Sequence, residues 1–91
     1  MKIFRVLEIS GTVNSFGLRG VILVAKDGEA WEIASNDLNL PIKGKSYGVR
    51  YYPGEAHPIF AAFWWEMPRL LPPAPAEVVA YAWKELNLEV R

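Results

Sequence analysis

A sheet covered on one side alternates apolar with polar residues, whereas a run apolar at every step has two faces to hide. Residues 59–65, Ile-Phe-Ala-Ala-Phe-Trp-Trp, form such a run. It lies within 46–67, where SYGVRYY and PIFAAFWWEM read as two strands joined by Pro53-Gly54-Glu55-Ala56-His57. This stretch carries seven of the twelve aromatic side chains, so the core must be assembled around it. One cover is that core. The other is the C-terminal helix, a partner chain or a ligand.

Residues 2–13, 18–26 and 29–35 read as three further strands. Asn14-Ser15-Phe16-Gly17 makes the first turn, and Asp27-Gly28 is a two-residue hairpin signal because both residues tolerate positive φ. With the first turn centred between Ser15 and Phe16, Leu7 faces Val24, Ile9 faces Ile22 and Gly11 faces Gly20. With Asp27-Gly28 central in the second, Val24 faces Trp31 and Ile22 faces Ile33. Two apolar rows follow, Leu7 with Val24 and Trp31, and Ile9 with Ile22 and Ile33; both are expected to face the core. A slip by one residue would scramble them. Val6, Val21, Leu23 and Ala25 then fall on a mixed outer face, with Glu8 and Glu32 flanking Leu23. The glycine pair marks a bend or bulge, or else a close approach by a ligand.

Residues 36–45 connect the meander to the aromatic hairpin, with Asp37 as a cap and Leu38, Leu40 and Ile42 plugging one end. In the hairpin, Tyr51 is expected opposite Ile59, Val49 opposite Ala61 and Tyr47 opposite Phe63, with Trp65 extending that core-facing side. Arg50, Tyr52, Phe60 and Trp64 take the other side. Pro68 closes the last strand, and 68–75 is a proline-rich linker. Residues 76–87 switch to helical period, with Val78, Val79, Ala82, Trp83 and Leu86 on one stripe. So short a helix must dock to persist. The expected fold is mainly β: one domain over 1–91, with a five-stranded antiparallel barrel over 2–67, SH3-like or OB-like in architecture. One C-terminal amphipathic helix completes it.

The search for chemistry returns little. A lone histidine, His57, in a chain without cysteine cannot build the usual zinc site. No phosphate-cradling glycine loop and no nucleophile elbow occurs. Asp27 and Asp37 are used by a turn and a cap, and Glu8 with Glu32 reads as solvated surface. No catalytic residue, cofactor or metal is therefore expected, and the chain reads as a non-enzyme. Arg5 and Glu8 break the apolar N-terminus, and the run 59–65 is about a third of a membrane span. A cytoplasmic protein without a membrane partner is the expectation.

What remains is a surface. Arg50 among Tyr52, Phe60 and Trp64 has the composition of a protein interface hot spot. One short helix, about 10–12 Å across, cannot cover both this face and the outer face of the meander. The leading expectation is thus a protein-interaction module that self-associates as a homo-oligomer, through those four residues or through Val21 and Leu23. The alternative is a single-stranded DNA or RNA binder that stacks bases on Tyr52 and Trp64 beside Lys43, Lys45 and Arg50. Ten basic against ten acidic residues weigh for protein. A third reading needs no partner at all, because the helix could lay Trp83 over this same face.

Overall fold

The computed structural model describes residues 2–50 and 55–84. Among these, six strands form one antiparallel sheet: β1 (Lys2–Ile9), β2 (Arg19–Ala25), β3 (Ala30–Ser35), β4 (Ser46–Arg50), β5 (Ile59–Phe60) and β6 (Glu66–Leu71). One helix follows, α1 (Ala76–Ala82). The strand order is β5-β4-β1-β2-β3-β6. Its centre is a Greek key, a three-stranded meander whose fourth strand returns beside the first. Phe4, Val21, Ile33, Val49 and Phe60 come from five strands yet share a single cluster, so the sheet is curled around them into a half-barrel.

The mainly β, antiparallel character agrees with the sequence expectation; the strand count is six, not five. Residues 58–67 are not one strand. The chain pairs with β4 only at Ile59 and Phe60, bends through 61–65, and re-enters at the opposite edge as β6 against β3. Pro68 therefore sits inside a strand instead of ending one. An edge strand tolerates this because one row of its donors is not needed by the ladder. Opposite Ile33, β6 carries an extra residue, and Met67 there takes φ 57°. A bulge accommodates such a residue, at a cost in backbone strain.

The register differs from the expected one, and between β2 and β3 the turn explains why. Asp27-Gly28 is not the centre of a two-residue turn. Ala25 N donates to Glu29 O (2.9 Å) and Gly28 N to Ala25 O (3.0 Å), closing a three-residue loop with Gly28 at φ 96°. Such a loop puts a left-handed residue in third place, where glycine has no Cβ to clash. The first turn is built alike: Asn14 N donates to Leu18 O (2.8 Å), Gly17 N to Asn14 O (3.0 Å), and Gly17 has φ 78°. One added loop residue exchanges the faces of a strand. Leu23 accordingly faces Trp31, and Val21 faces Ile33. On the β1 side Leu23 faces Val6 and Val21 faces Ile9. A bulge between Val6 and Glu8 puts Leu7 on the outside and returns Ile9 to the core side.

Val6, Val21, Leu23 and Ala25, expected outside, are thus the buried core, while Val24 and Ile22 face outward. Val24 is fully covered there and Ile22 partly. Val79, Ala82 and Trp83 pack against Val24, Ile22, Ala30 and Leu71, so α1 docks on its own sheet. The Trp83 indole N–H donates to the Val24 carbonyl (3.0 Å), and the ring lies between the Arg5 guanidinium (4.5 Å) and the Lys26 ammonium (5.1 Å). The linker is fixed too, since Ala74 N donates to Gly28 O (2.8 Å). The helix ends at Ala82, and Leu86 of the expected stripe lies outside the described residues.

Candidate interaction surface

The residues singled out from the sequence do not form one patch. Val21 and Leu23 are fully buried, which removes them as a self-association surface. Phe60 is also core. Val49 pairs with Phe60 instead of Ala61, one step from the expected register, which turns the ring inward onto Phe4 (5.7 Å), Phe63 (5.3 Å) and Trp65 (6.0 Å). Tyr52, like Tyr51, lies outside the described residues. Arg50 and Trp64 are exposed but sit at opposite ends of the sheet. Arg50 follows Val49, opposite Lys2, whose ammonium reaches Asp27 at the β2–β3 hairpin. The Trp64 carbonyl accepts from Ser35 Oγ (2.6 Å), at the far end of β3. Lys43 and Lys45 are exposed; Lys43 Nζ lies 3.7 Å from Glu8 and Lys45 Nζ stands 5.6 Å from the Tyr47 ring centre. Val49, Phe63, Tyr47 and Trp65 do face or pack onto the core as expected.

A different surface emerges where β2 begins, β3 ends and β6 begins. Three loops meet there: the β1–β2 turn, the turn at 36–39 and the bend at 61–65. Asn14 Oδ1 accepts from Phe16 N (2.8 Å) and Leu18 N (3.0 Å), fixing the first loop. Arg19 Nε donates to Asp37 Oδ1 (2.6 Å), tying the base of that loop to the second. This guanidinium holds the Asp37 carboxyl below the usual carboxylate range. Ser35 Oγ joins the second and third loops, 3.4 Å from the Asn39 carbonyl besides its bond to Trp64. The side chains of Asn14, Arg19, Ser35 and Asp37 are thus paired within the chain.

Phe16 is 76% exposed and Leu38 95%, and Val13, Trp64 and Met67 are each more than two-fifths exposed. These are five of the nine large hydrophobic side chains exposed among the described residues, and they share one end. Of the other four, Ile3, Leu70 and Tyr81 stand on β1, β6 and α1, and Ile42 lies in the connection 36–45. A concave groove of about 420 Å³ opens beside the cluster, lined among others by Val13, Leu18, Gly20, Glu32, Met67 and Arg69. It lies on the outer face, beyond the reach of α1. Glu32 Oε1 accepts from Arg69 Nε (3.1 Å) and from Nη2, and Glu32 Oε2 lies over Gly20, where a Cβ would come within 3.0 Å of it. The Glu32 carboxylate thus takes the space over Gly20, and on the β1 side Gly20 O accepts from Ser10 N (2.8 Å), so that Gly20 is not paired with Gly11. Glu8 and Glu32 share the outer face as expected, flanking Ile22 instead of Leu23.

The sequence did carry a signal for this surface. Turns favour Gly, Pro, Asn, Asp and Ser, so Phe16 inside Asn-Ser-Phe-Gly and Leu38 inside Asn-Asp-Leu-Asn are out of place by turn chemistry. Of the expected plug Leu38, Leu40 and Ile42, Leu40 packs against the core, while Leu38 and Ile42 are exposed. Asp37 serves Arg19, and Asn36 Oδ1 accepts from Leu38 N (3.1 Å) in the capping role. Among the described residues no group of three or more potential metal ligands occurs, and no helix is long and apolar enough to cross a membrane.

Comparison with known proteins returns no match: no family model, no curated protein and no solved structure matches the chain.

Proposed function

We propose that this chain is a non-enzymatic protein-interaction module, a small barrel of the SH3-like or OB-like kind, that binds through the loop end of its sheet. One observation carries the reading: Val13, Phe16, Leu38 and Trp64 on three loops, with Met67 at the start of β6, are exposed at one end of the sheet, where Asn14, Arg19, Ser35 and Asp37 are paired within the chain. Contiguous exposed apolar surface costs solubility and marks sites that another molecule covers. Loops tied to a rigid sheet are where binding residues concentrate.

The charges beside the cluster favour a protein over a nucleic acid. Arg19 is paired with Asp37, Arg69 with Glu32, and Lys43 lies near Glu8, leaving little uncompensated positive charge to hold phosphates. Of the stacking platform first expected, Trp64 alone belongs to this end.

The test is affinity capture with three proteins: the wild type, a Phe16→Ser/Leu38→Ser/Trp64→Ser triple variant, and an Arg50→Ala/Lys26→Ala control. A partner held by wild type and control but lost by the triple variant is the expected result. Equal capture by all three would place binding elsewhere. Salt-sensitive quenching of Trp64 by oligo-dT would instead favour the nucleic-acid reading.

A further inference from the structure

The positive charges of this chain are unevenly matched. Toward the loop end, Arg19, Lys43 and Arg69 each have a carboxylate within reach. Around Trp83, Arg5, Lys26 and Lys84 have none among the described residues. Arg5 is held by neutral groups instead. Its Nε donates to Ser46 Oγ (3.0 Å) and its Nη1 to the Lys84 carbonyl (3.2 Å), with the guanidinium 4.5 Å from the centre of the Trp83 ring. Neutral acceptors orient a cation without cancelling its charge, and Nη2 takes part in neither bond. Lys26, which is exposed, reaches the same ring at 5.1 Å. Both cations lie within about a Debye length, roughly 8–10 Å, of that ring, so their fields add beside it.

A cleft of about 350 Å³ opens there, lined by Lys2, Ile3, Ala25, Lys26, Asp27 and Trp83. Small-ligand sites run to about 300–1,000 Å³ and combine apolar walls with a few polar groups. Here the indole and Ile3, itself 47% exposed, supply the apolar wall. Asp27 is the one carboxylate in the lining, and both its oxygens are taken. Oδ1 accepts from Glu29 N (3.0 Å) and Oδ2 from the Lys2 ammonium (2.7 Å). Lys2 is shared between Asp27 and Glu29, which leaves Lys26 in the lining and Arg5 at the ring as the unmatched charges.

We infer that this cleft binds an organic phosphate, its body against Ile3 and the indole and its charged head in the joint field of Lys26 and Arg5. A phosphate monoester carries about −1.5 to −2 charge at pH 7 and so answers two unmatched cations, where a carboxylate answers one. Such an ester comes either as a free small molecule or as a phosphorylated side chain of a protein. The inference does not rest on the loop-end reading: the two sites have no residue in common, and either can fail alone.

The test follows the Trp83 indole N–H by NMR, since this group donates to the Val24 carbonyl (3.0 Å) beside the cleft. Phenyl phosphate, inorganic phosphate and phenol are titrated at fixed ionic strength. Phenyl phosphate should shift the signal saturably and bind at least about tenfold more tightly than either fragment. Lys26→Gln, at an exposed position that spares the fold, should weaken it about tenfold, as expected for one charge-assisted hydrogen bond. Lys26→Arg should restore it, and Lys43→Gln, near Glu8, should leave it unchanged. A phosphotyrosyl peptide separates the sources: tighter binding than phenyl phosphate assigns the ester to a modified protein, weaker binding to a free small molecule. No saturable shift in the wild type, or equal affinity in Lys26→Gln, would overturn the inference. So would displacement of phenyl phosphate by oligo-dT at equal phosphate concentration, which would make this face a polyanion surface without a ligand cleft.

Discussion

The two ends of this sheet use the same turn for opposite purposes. At the β2–β3 end, the Lys26-Asp27-Gly28 loop is tied down: Gly28 is buried and its carbonyl accepts from Ala74 N, and Lys2 reaches both Asp27 (2.7 Å) and Glu29. Glu29 in turn accepts from the Trp31 indole (2.6 Å). At the β1–β2 end, the Ser15-Phe16-Gly17 loop has the same hydrogen bonds and the same left-handed glycine, yet nothing lies within 4 Å of where a Gly17 Cβ would stand. One hairpin is finished by the chain that made it. The other is built just as firmly and left uncovered, which is what a surface kept for another molecule requires.

The largest effect that separates the ends should come from Trp31→Ala. Trp31 is 7% exposed and anchors the tied-down end, so its loss is expected to cost about 3–5 kcal/mol in urea denaturation. A loss below about 1 kcal/mol would mean that this end is less finished than described. Next come the paired glycines. Ala at either position must adopt positive φ, a strain of about 1 kcal/mol or more. Gly28→Ala should cost more than Gly17→Ala, because its Cβ would also press on the Ala74 carbonyl at 3.2 Å. Equal costs would show that the linker does not dock on the hairpin.

A smaller effect concerns acid. Hydrogen bonding to Lys2 and to the Glu29 backbone lowers the folded-state pKa of Asp27 from 3.8. A carboxyl with a depressed folded pKa stabilises above its unfolded value, and that contribution is lost as pH falls through the folded one. Asp27→Asn should therefore lower Tm at neutral pH and flatten its dependence below about pH 4. An unchanged acid slope in thermal melts would remove the Lys2 clamp from the account. Leu38→Ser should do least, changing stability by no more than about 0.5 kcal/mol. If that substitution destabilises strongly in dilute solution, Leu38 has a cover within its own chain and the contrast between ends fails.

Much of this fold was legible. Strand positions in the meander, the inward set of Tyr47, Val49, Phe63 and Trp65, and the need of Trp83 for a surface all follow from period and composition. The faces of β2 were not. Asp-Gly reads as a two-residue turn, and only the hydrogen bonds reveal that Lys26 belongs to the loop as well. That single residue moved Val21 and Leu23 from surface to core. The run 59–65 misled for another reason. Its two apolar faces belong less to a doubly covered strand than to a bend that buries Phe63, half-buries Trp65 and leaves Ala61, Ala62 and Trp64 outside. Of the candidate site, only Trp64 carried over. Phe16 and Leu38 were visible as apolar residues in turns, but a turn gives no periodicity by which to weigh them.

The bend at 61–65 also acts as a hoop. Laid flat, six strands would put β5 and β6 about 24 Å apart, five spacings of roughly 4.8 Å. From Phe60 to Glu66 the chain makes six steps and reaches at most about 21 Å, even fully drawn out. The sheet cannot be flattened while the chain is intact. Its curvature is held by covalent length as well as by packing, as a stave is held by a band. The band sets an upper limit on how far the β5 and β6 edges can part, whatever happens to the packing between them.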